Sequence, residues 1–461
     1  MDKRIDCKRN QANECGGMAY LAERQLRRGR GWPRVALLAV LLTGLALTMR
    51  AALGEPAVGE PLPPWEPGML DIHQINIGTG DAALFIFPDG TAMLLDAGAT
   101  VRDRPPHYDA PPLPSDSRPP AEWVARYIWD VHPSGDEVVL DYAVVTHFHG
   151  DHMGTVTDNS PLSASGAYRL SGITGVGDAI PIHTVIDRGW PAYDFPASLD
   201  NRMMSNYRDF LAWGIEQGGM EVERFEAGRN DQITLRHAPE DYPAFEVRNI
   251  AVNGEVWTGE DLNVRNRFPR DDPPSENNCS LAFRLRYGPF AYFNGGDLNG
   301  VIPDDAPAWR DMESAVAWVT GPVDVHALNH HGFRDAANAF FLSVLQPRIH
   351  ILAVYAASHP GPDVMRRMMS EEIYPGERGI FMTNGMWEGR KPNMADLFGE
   401  EEADWLERRI NEADASEGHI VVRVEPGGGQ YRVIVLDDAT EERAVRSVHG
   451  PYTSRGGTGA P

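Results

Sequence analysis

Residues 140–154 read LDYAVVTHFHGDHMG and place three histidines and one aspartate directly after an apolar run. The run is typical of a buried strand, so the polar residues begin where that strand ends. His147 and His149 would point the same way in an extended segment and could bind one ion. Asp151 and His152 follow where the chain turns and could bind another. Imidazole and carboxylate are ligands that zinc prefers, so the stretch predicts a metal site.

The sequence on either side of this stretch predicts a layered α/β domain. Residues 69–100 contain three apolar runs separated by GTGD and PDG, a pattern typical of strands joined by tight turns. From residue 279 onward, predicted strands alternate with predicted helices, and residues 418–438 read as a closing hairpin. We therefore expect two packed sheets with helices outside them.

The ends of the chain differ in composition from the middle. A basic segment precedes fifteen apolar or small residues at 35–49, as in a secretory signal. The protein is thus predicted to be exported, to the periplasm or the cell exterior, or alternatively to stay anchored by residues 35–49. The predicted divisions are a signal peptide or anchor at 1–50, a Pro/Gly-rich linker at 51–68, one domain at 69–440 with insertions at 102–120 and 155–270, and a flexible tail at 441–461.

Charge and cysteine content narrow the classes of function. The chain has 66 Asp and Glu against 42 Lys and Arg, a formal net charge of −24. The predicted signal is basic, so its removal would leave a more acidic protein. Such a surface repels polyanions at long range, so we do not expect tight binding of nucleic acid. Cys7 and Cys15 precede the apolar segment, which leaves Cys279 without a disulfide partner in the mature chain.

The motifs together resemble those of metallo-β-lactamase-fold hydrolases, and most closely the soluble hydrolase domain of ComEC-type DNA-uptake proteins. The His cluster resembles the H-x-H-x-D-H motif of that fold, and residues 75–98 look like the opening hairpin of the ComEC-type domain. Residues 277–297, which end in Gly-Gly-Asp, and VDVHALNHHGF at 323–333 are similar to two further segments of that group. The likeness covers most of residues 70–435 and implies a four-layer αββα sandwich.

The resemblance also implies roles for individual residues. His147 and His149 would bind a first metal ion, and Asp151 and His152 a second. Asp297, in the Gly-Gly-Asp segment, would bridge the two ions. The implied cofactors are two divalent metal ions, zinc or alternatively manganese.

The remaining histidines leave several assignments open. His330 is expected to be a further ligand, with His331 contacting the substrate or taking the ligand role instead; Asp151 and His331 are the expected catalytic residues. Many members of the family have one more histidine ligand between the first motif and the bridging aspartate. His183 lies in that interval and is one candidate. His359, which follows a later predicted strand, is another candidate ligand, with helix capping or packing as its alternative role. Without a further histidine, water would complete the first site.

Two further carboxylates, Asp81 and Asp96, lie near the predicted strand ends. Relatives use carboxylates at these places to orient the metal-binding histidines, since a ligand imidazole usually donates its other N–H to an oxygen acceptor. For Asp81, a turn residue that bonds its own backbone is an equal alternative.

The expected activity is hydrolysis by metal-activated water. A phosphodiester or phosphoester is the preferred substrate, either a small molecule or a component of the cell envelope. A lactam or lactone hydrolase using the same site is one alternative, and a non-catalytic, metal-stabilised binding protein is another.

Overall fold

The structure is a computed structural model and describes residues 54–101, 104–135 and 137–456. The predicted signal or anchor at 1–50 lies outside the described residues. The described residues from Pro56 onward belong to one compact unit. Within the described ranges, no helix combines the length and apolar character that a membrane span requires.

Seventeen strands are found in the described residues. The first nine are β1 (Leu70–Gln74), β2 (Ala82–Ile86), β3 (Ala92–Ala97), β4 (Leu140–Val144), β5 (Ile182–Asp187), β6 (Glu221–Arg224), β7 (Phe245–Val252), β8 (Glu255–Trp257) and β9 (Val264–Asn266). The others are β10 (Ala282–Tyr287), β11 (Phe290–Asn294), β12 (Val325–Ala327), β13 (Ile349–Leu352), β14 (Gly379–Met382), β15 (His419–Val424), β16 (Gln430–Leu436) and β17 (Val445–Thr453).

The strands form two mixed sheets. The first has the order β17-β16-β15-β1-β2-β3-β4-β5-β6, and the second has the order β14-β13-β12-β11-β10-β7-β8-β9. Strands β3 to β6 are parallel to one another, as are β11 to β14, and the other pairs are antiparallel. Central strands such as β2 and β4 are buried along their whole length, which explains why they read as continuous apolar runs.

Nine α-helices connect these strands in the described residues. They are α1 (Pro120–Val131), α2 (Gly150–Met153), α3 (Ile173–Ala179), α4 (Arg202–Trp213), α5 (Met312–Thr320), α6 (Ala339–Leu345), α7 (Pro362–Met369), α8 (Arg390–Phe398) and α9 (Glu400–Asn411). Helices α1, α3 and α4 pack on the outer face of the first sheet, and α5 to α9 pack on the outer face of the second.

The core between the two sheets is apolar and aromatic. Phe85 of the first sheet contacts Phe283 and Tyr292 of the second, with ring centroids 6.1 and 5.5 Å apart. All three side chains are buried. The predicted α/β class, with two packed sheets and helices outside them, is confirmed.

The predicted insertion at 155–270 contributes strands to both sheets. Strands β5 and β6 extend the first sheet, and β7 to β9 extend the second. The exposed strands β6 and β9 read EVER and VRN, which lack the apolar alternation by which strands are recognised. Residues 104–119, within the other predicted insertion, contain no helix or extended strand.

The predicted flexible tail at 441–461 requires correction. Residues 445–453 form β17, which pairs antiparallel with β16 at the edge of the first sheet. The predicted linker is bound to this strand, because Gly59 N donates to Val445 O at 2.8 Å and Val445 N donates to Glu60 O at 2.9 Å. An edge strand exposed on several positions carries little apolar signal, which is why its sequence resembles a tail.

Candidate metal centre

The histidine motif begins three residues after β4 ends at Val144. This strand lies between β3 and β5 in the parallel part of the first sheet, so the motif starts from a fixed position. Asp151 and His152 lie on the short helix α2, and both are buried, as is His147. The ring of His149 is partly exposed, so the motif has one open side.

Three segments of the second sheet reach the same place. Asp297 follows β11, His330 and His331 follow β12, and Tyr355 follows β13. These parallel strands end at one edge of the sheet, where loops at the carboxyl ends of strands commonly build ligand sites. The two sheets therefore bring together residues that lie far apart in the sequence.

Asp297 lies at the centre of the cluster and faces histidines on both sides. Its Oδ1 lies 3.2 Å from His152 Nε2 and 3.4 Å from His331 Nε2. Its Oδ2 lies 3.6 Å from His147 Nε2 and 3.7 Å from His330 Nε2. Each oxygen of this buried carboxylate thus has its own set of imidazoles.

Two groups of candidate metal ligands share Asp297. In each group the ligand atoms all lie within 4.8 Å of one another. The first group consists of His147, His149 and Asp297, and the second of Asp151, His152, Asp297 and His331. The structure therefore brings together five of the six predicted metal ligands, and adds His331.

The geometry favours His331 over His330 as a ligand, which reverses the predicted preference. His331 Nδ1 donates to the carbonyl oxygen of Ala353 at 3.0 Å, so its Nε2 is free to face Asp297 and Asp151. His330 instead donates from Nδ1 to Asp335 at 2.7 Å and accepts at Nε2 from Asn277 at 3.0 Å. The lone pair of His330 is already used by a protein donor.

The turn that presents these two histidines has an unusual backbone. His330 and His331 have φ values of 48° and 54°, in the left-handed region that few residues other than glycine adopt. His330 N donates to Gly296 O at 3.0 Å, which ties the turn to the segment that carries Asp297. Strained residues of this kind concentrate at functional sites, and here the strain directs neighbouring side chains toward one cluster.

Charge interactions within the cluster shift the pKa values of its members in opposite directions. Burial alone would raise the pKa of Asp297, but His152, His331 and the other imidazoles outweigh it and hold that pKa well below its usual range. Burial would lower the pKa of His152, but Asp297 and Asp96 raise it well above the usual value. Burial lowers the pKa of His331 to about 4. Shifts of this kind cluster at functional sites.

Asp96 holds His152 in position. Its Oδ1 accepts from Thr146 N at 2.8 Å, and its Oδ2 accepts from Thr146 Oγ1 at 2.7 Å and from His152 Nδ1 at 2.8 Å. These bonds turn His152 Nε2 toward Asp297. The structure therefore places Asp96 where the resemblance expects a carboxylate that orients a ligand histidine.

Asp81 lies on the other side of Asp96. Gln74 Nε2 donates to its Oδ1 at 2.6 Å, and Asp81 N donates to the carbonyl oxygen of Asp151 at 2.8 Å. Burial raises the pKa of Asp81 to about 7. The carboxylates of Asp81 and Asp96 and the ring of His152 form a third group of candidate ligand atoms. The Asp81 backbone also holds the loop that carries the motif.

Sequence reasoning missed Tyr355. Its hydroxyl donates a short hydrogen bond to Asp151 Oδ2, and its ring makes edge contacts with His331 and His359, with centroids 4.9 Å away in both cases. Tyr355 thus orients a candidate ligand. Nothing in its local sequence, AVYAAS, distinguishes it from a core tyrosine.

A buried ion pair holds the backbone of the motif and was also missed. Glu276 Oε1 accepts from Phe148 N, between the first two histidines, at 2.7 Å. Arg188 donates to both oxygens of Glu276, from Nε at 2.7 Å and from Nη2, and its guanidinium lies 4.6 Å from the centre of the Phe148 ring. Arg188 follows β5, a part of the chain that the sequence assigned to an insertion.

The two candidates for an additional ligand have different outcomes. The prediction for His183 is wrong: it lies at the start of β5, at the opposite end of the strands from the motif, and its side chain is 68% exposed. His359 does reach the cluster, and its ring stacks on His331 with centroids 5.1 Å apart. It lies outside both ligand groups, and its Nδ1 is buried without a hydrogen-bond partner.

Comparison with known proteins identifies no relative of this chain. No family model matches the chain, and no curated protein is significantly similar to it in sequence. The feature that points to a function is therefore the cluster itself, a buried set of histidines and aspartates that could hold a metal ion.

Proposed function

We propose that the protein is a hydrolase that uses two divalent metal ions, zinc or manganese, held on either side of Asp297. The observation that carries this proposal is the division of ligands around that one carboxylate, whose two oxygens face separate sets of imidazoles. Two-metal hydrolases place their ions about 3.5–4 Å apart, a separation that a bridging carboxylate suits.

The donor atoms present fit such ions. His152 Nε2 and His331 Nε2 lie 3.1 Å apart, and His147 Nε2 and His149 Nδ1 lie 3.0 Å apart. Ring nitrogens at these separations converge on two places, so each pair could donate its lone pairs to one ion. Imidazole and carboxylate together are the donors that zinc prefers.

The fold supports the same proposal. The motif follows β4 of the first sheet, and Asp297 and the two histidines follow β11 and β12 of the second. This is the placement that the resemblance to metallo-β-lactamase-fold hydrolases implies, and we propose an αββα sandwich of that type.

The chemistry would be divided between metal and protein. Bound ions would lower the pKa of a water molecule toward neutrality and polarise an ester oxygen. Asp96 orients His152, the Ala353 carbonyl orients His331, and the Tyr355 hydroxyl orients Asp151. Asp151 and His331, our proposed catalytic residues, thus have fixed positions at the reacting centre.

The substrate is proposed to be a phosphodiester or phosphoester. A cavity of about 780 Å³ is lined by Asp335, whose carboxylate accepts from His330 in the turn that also carries His331. Arg310 and Arg334 also line it and could bind anionic oxygens, while Phe333 offers a surface for an organic group. The acidic charge of the chain favours a small or cell-envelope ester over long nucleic acid.

The same experiment distinguishes two alternative functions. The apolar part of the cavity would also accept a lactam or lactone, and a protein that only binds metal would show no turnover. Export through residues 1–50, or anchoring by residues 35–49, is likewise proposed.

The full chain, purified without chelator, would be assayed for metal content and for hydrolysis of bis-p-nitrophenyl phosphate, a p-nitrophenyl monoester, a lactone and a chromogenic lactam. About two metals per chain and a diesterase activity that Asp297→Asn abolishes would support the proposal. Fewer than one metal, and no turnover after zinc or manganese is restored, would refute it. Asp414→Asn, at an exposed carboxylate, is the matched control.

A further inference from the structure

A second cluster of histidines surrounds a buried carboxylate at the opposite end of β4. Asp141 is the second residue of this strand, its side chain is 7% exposed, and its Oδ2 accepts from Ala92 N at 2.8 Å. The register pairs Leu140 with Ile182 and Tyr142 with Thr184, so His183 lies beside Asp141 on the neighbouring strand.

Two imidazoles face the two oxygens of Asp141. His183 Nδ1 lies 3.9 Å from Oδ1, and His237 Nε2 lies 3.3 Å from Oδ2. The three residues line one cavity of about 420 Å³. Both histidine side chains are more than half exposed, at 68% and 53%, so each ring can turn toward a ligand between them.

A third histidine lies in the electrostatic range of the same carboxylate. His132 follows α1, and its Nε2 is buried without a hydrogen-bond partner, while its Nδ1 accepts from Ser134 N at 3.2 Å. Burial lowers the pKa of His132, and the charge of Asp141 acts against that shift. His132 lines a different cavity from Asp141, His183 and His237, so it affects their electrostatics and lies outside their shared site.

Ion pairing alone accounts poorly for this arrangement. Within the described residues, no Arg or Lys lies within ion-pair distance of Asp141, and a buried carboxylate without a cationic partner is costly. Arg236 lines the same cavity, but its guanidinium lies 4.7 Å from the centre of the Tyr142 ring. A divalent cation would neutralise the carboxylate and use both imidazoles.

We propose that Asp141, His183 and His237 form a separate binding site for a borderline divalent cation such as Zn²⁺, which the two exposed imidazoles would reach by rotating toward each other over the carboxylate. Imidazole and carboxylate are the ligand types such cations select. His183 and Asp141 lie on neighbouring strands, whereas His237 lies in the loop between β6 and β7. A cation here would fasten that loop to the first sheet, so the site is structural and independent of the proposed hydrolase centre.

The test is a Zn²⁺ titration of the full chain after chelation, read by calorimetry and by metal content per chain. The His183→Ala/His237→Ala double variant should bind one Zn²⁺ fewer per chain than the wild type. His449→Ala is the matched control, because His449 Nδ1 lies 3.9 Å from Asp414 Oδ1 with no second histidine on that carboxylate. This control should bind as many ions as the wild type.

A spectroscopic measurement separates loss of ligands from loss of structure. Cu²⁺ bound to the Asp297→Asn variant, in which the proposed hydrolase centre is weakened, should show the electron spin echo modulation of imidazole nitrogen. Adding the double substitution should remove about one imidazole-bound Cu²⁺ per chain and lower that signal in proportion, while the circular dichroism spectrum stays unchanged. Equal Zn²⁺ stoichiometry and affinity in the wild type and the double variant would overturn the proposal.

Discussion

The Nε2 atoms of His152 and His331 lie 3.1 Å apart, although 179 residues separate the two histidines in the chain. Each donates its Nδ1 proton elsewhere, His152 to Asp96 and His331 to the Ala353 carbonyl oxygen. Two lone pairs would repel at this distance, so without metal one of the facing nitrogens holds a proton. The raised pKa of His152, for which Asp297 and Asp96 outweigh burial, assigns the proton to that ring.

Metal binding should therefore release a proton. Zn²⁺ added to the chelated protein in weak buffer at pH 7 should acidify the solution by about one proton per chain, and metal affinity should rise with pH. A pH indicator dye and calorimetry in two buffers of different ionisation enthalpy would measure the release. Metal binding with no proton release in either buffer would contradict the prediction.

Asp96→Asn should weaken metal binding without unfolding the protein. The amide keeps the size of the carboxylate but cannot accept from Thr146 and His152 with the same charge, so His152 loses its fixed orientation. Partners of this kind typically contribute 10–100-fold in metal affinity. Competition with a chelator would measure the loss. Asp335→Asn provides the comparison, since it alters His330, which lies outside both ligand groups, and should change affinity less.

Gly98→Ala should displace the motif loop. A Cβ at Gly98 would lie 1.8 Å from the carbonyl oxygen of Asp151, and backbone at this place cannot move without shifting the candidate ligands. We expect a loss of about 1–3 kcal/mol in the free energy of unfolding, together with weaker metal binding. Gly218→Ala is the control, because a Cβ there meets nothing within 4 Å. Equal urea midpoints for the two variants would count against a close contact at Gly98.

Arg188→Leu should be strongly destabilising, because it leaves Glu276 without its buried partner. The Arg188 side chain is 0% exposed, and removal of one partner from a buried pair costs about 3–5 kcal/mol. Metal affinity should fall as well, since Glu276 fixes the backbone between His147 and His149. Arg202→Leu breaks an exposed pair with Asp158, so chemical denaturation should show little change in stability.

Buried His326 should make the protein sensitive to acid. Burial lowers its pKa to about 3, so the folded state keeps this ring neutral while the unfolded state binds a proton below about pH 6.5. Stability is thus lost as pH falls from about 6.5 toward 3. His326→Phe should flatten the slope of unfolding free energy against pH by up to about 1.4 kcal/mol per pH unit in that window. An unchanged slope in His326→Phe would contradict this prediction.

The sequence predicts the residues of the site that are neighbours in the chain, but not those that only folding brings together. His147, His149, Asp151 and His152 lie within six residues, so a strand followed by a turn is enough to bring them together. The choice between His330 and His331 depends on two left-handed backbone angles, which no residue type in that segment indicates.

Other features of the site depend on contacts between distant segments. Tyr355 reaches the motif because the two sheets pack face to face, whereas Arg188 reaches it because β5 pairs with β4. Each reads as an ordinary residue in its own segment. The number of strands in each sheet is also hard to predict from the sequence. Polar edge strands such as β6 lack an apolar pattern, whereas α9 shows buried positions Ala403, Leu406 and Ile410 at helical spacing and could have been found.

The edge strands β6 and β17 of the first sheet bear on the behaviour of the protein at high concentration. An open sheet edge presents unpaired backbone groups to which a strand of another molecule can add, which begins aggregation. β6 reads EVER, with three charged residues in four, and β17 contains Arg446 and Pro451, whose nitrogen cannot donate. Both edges therefore discourage strand addition, and substitution of Glu221 and Glu223 by valine would create a surface prone to fibril growth.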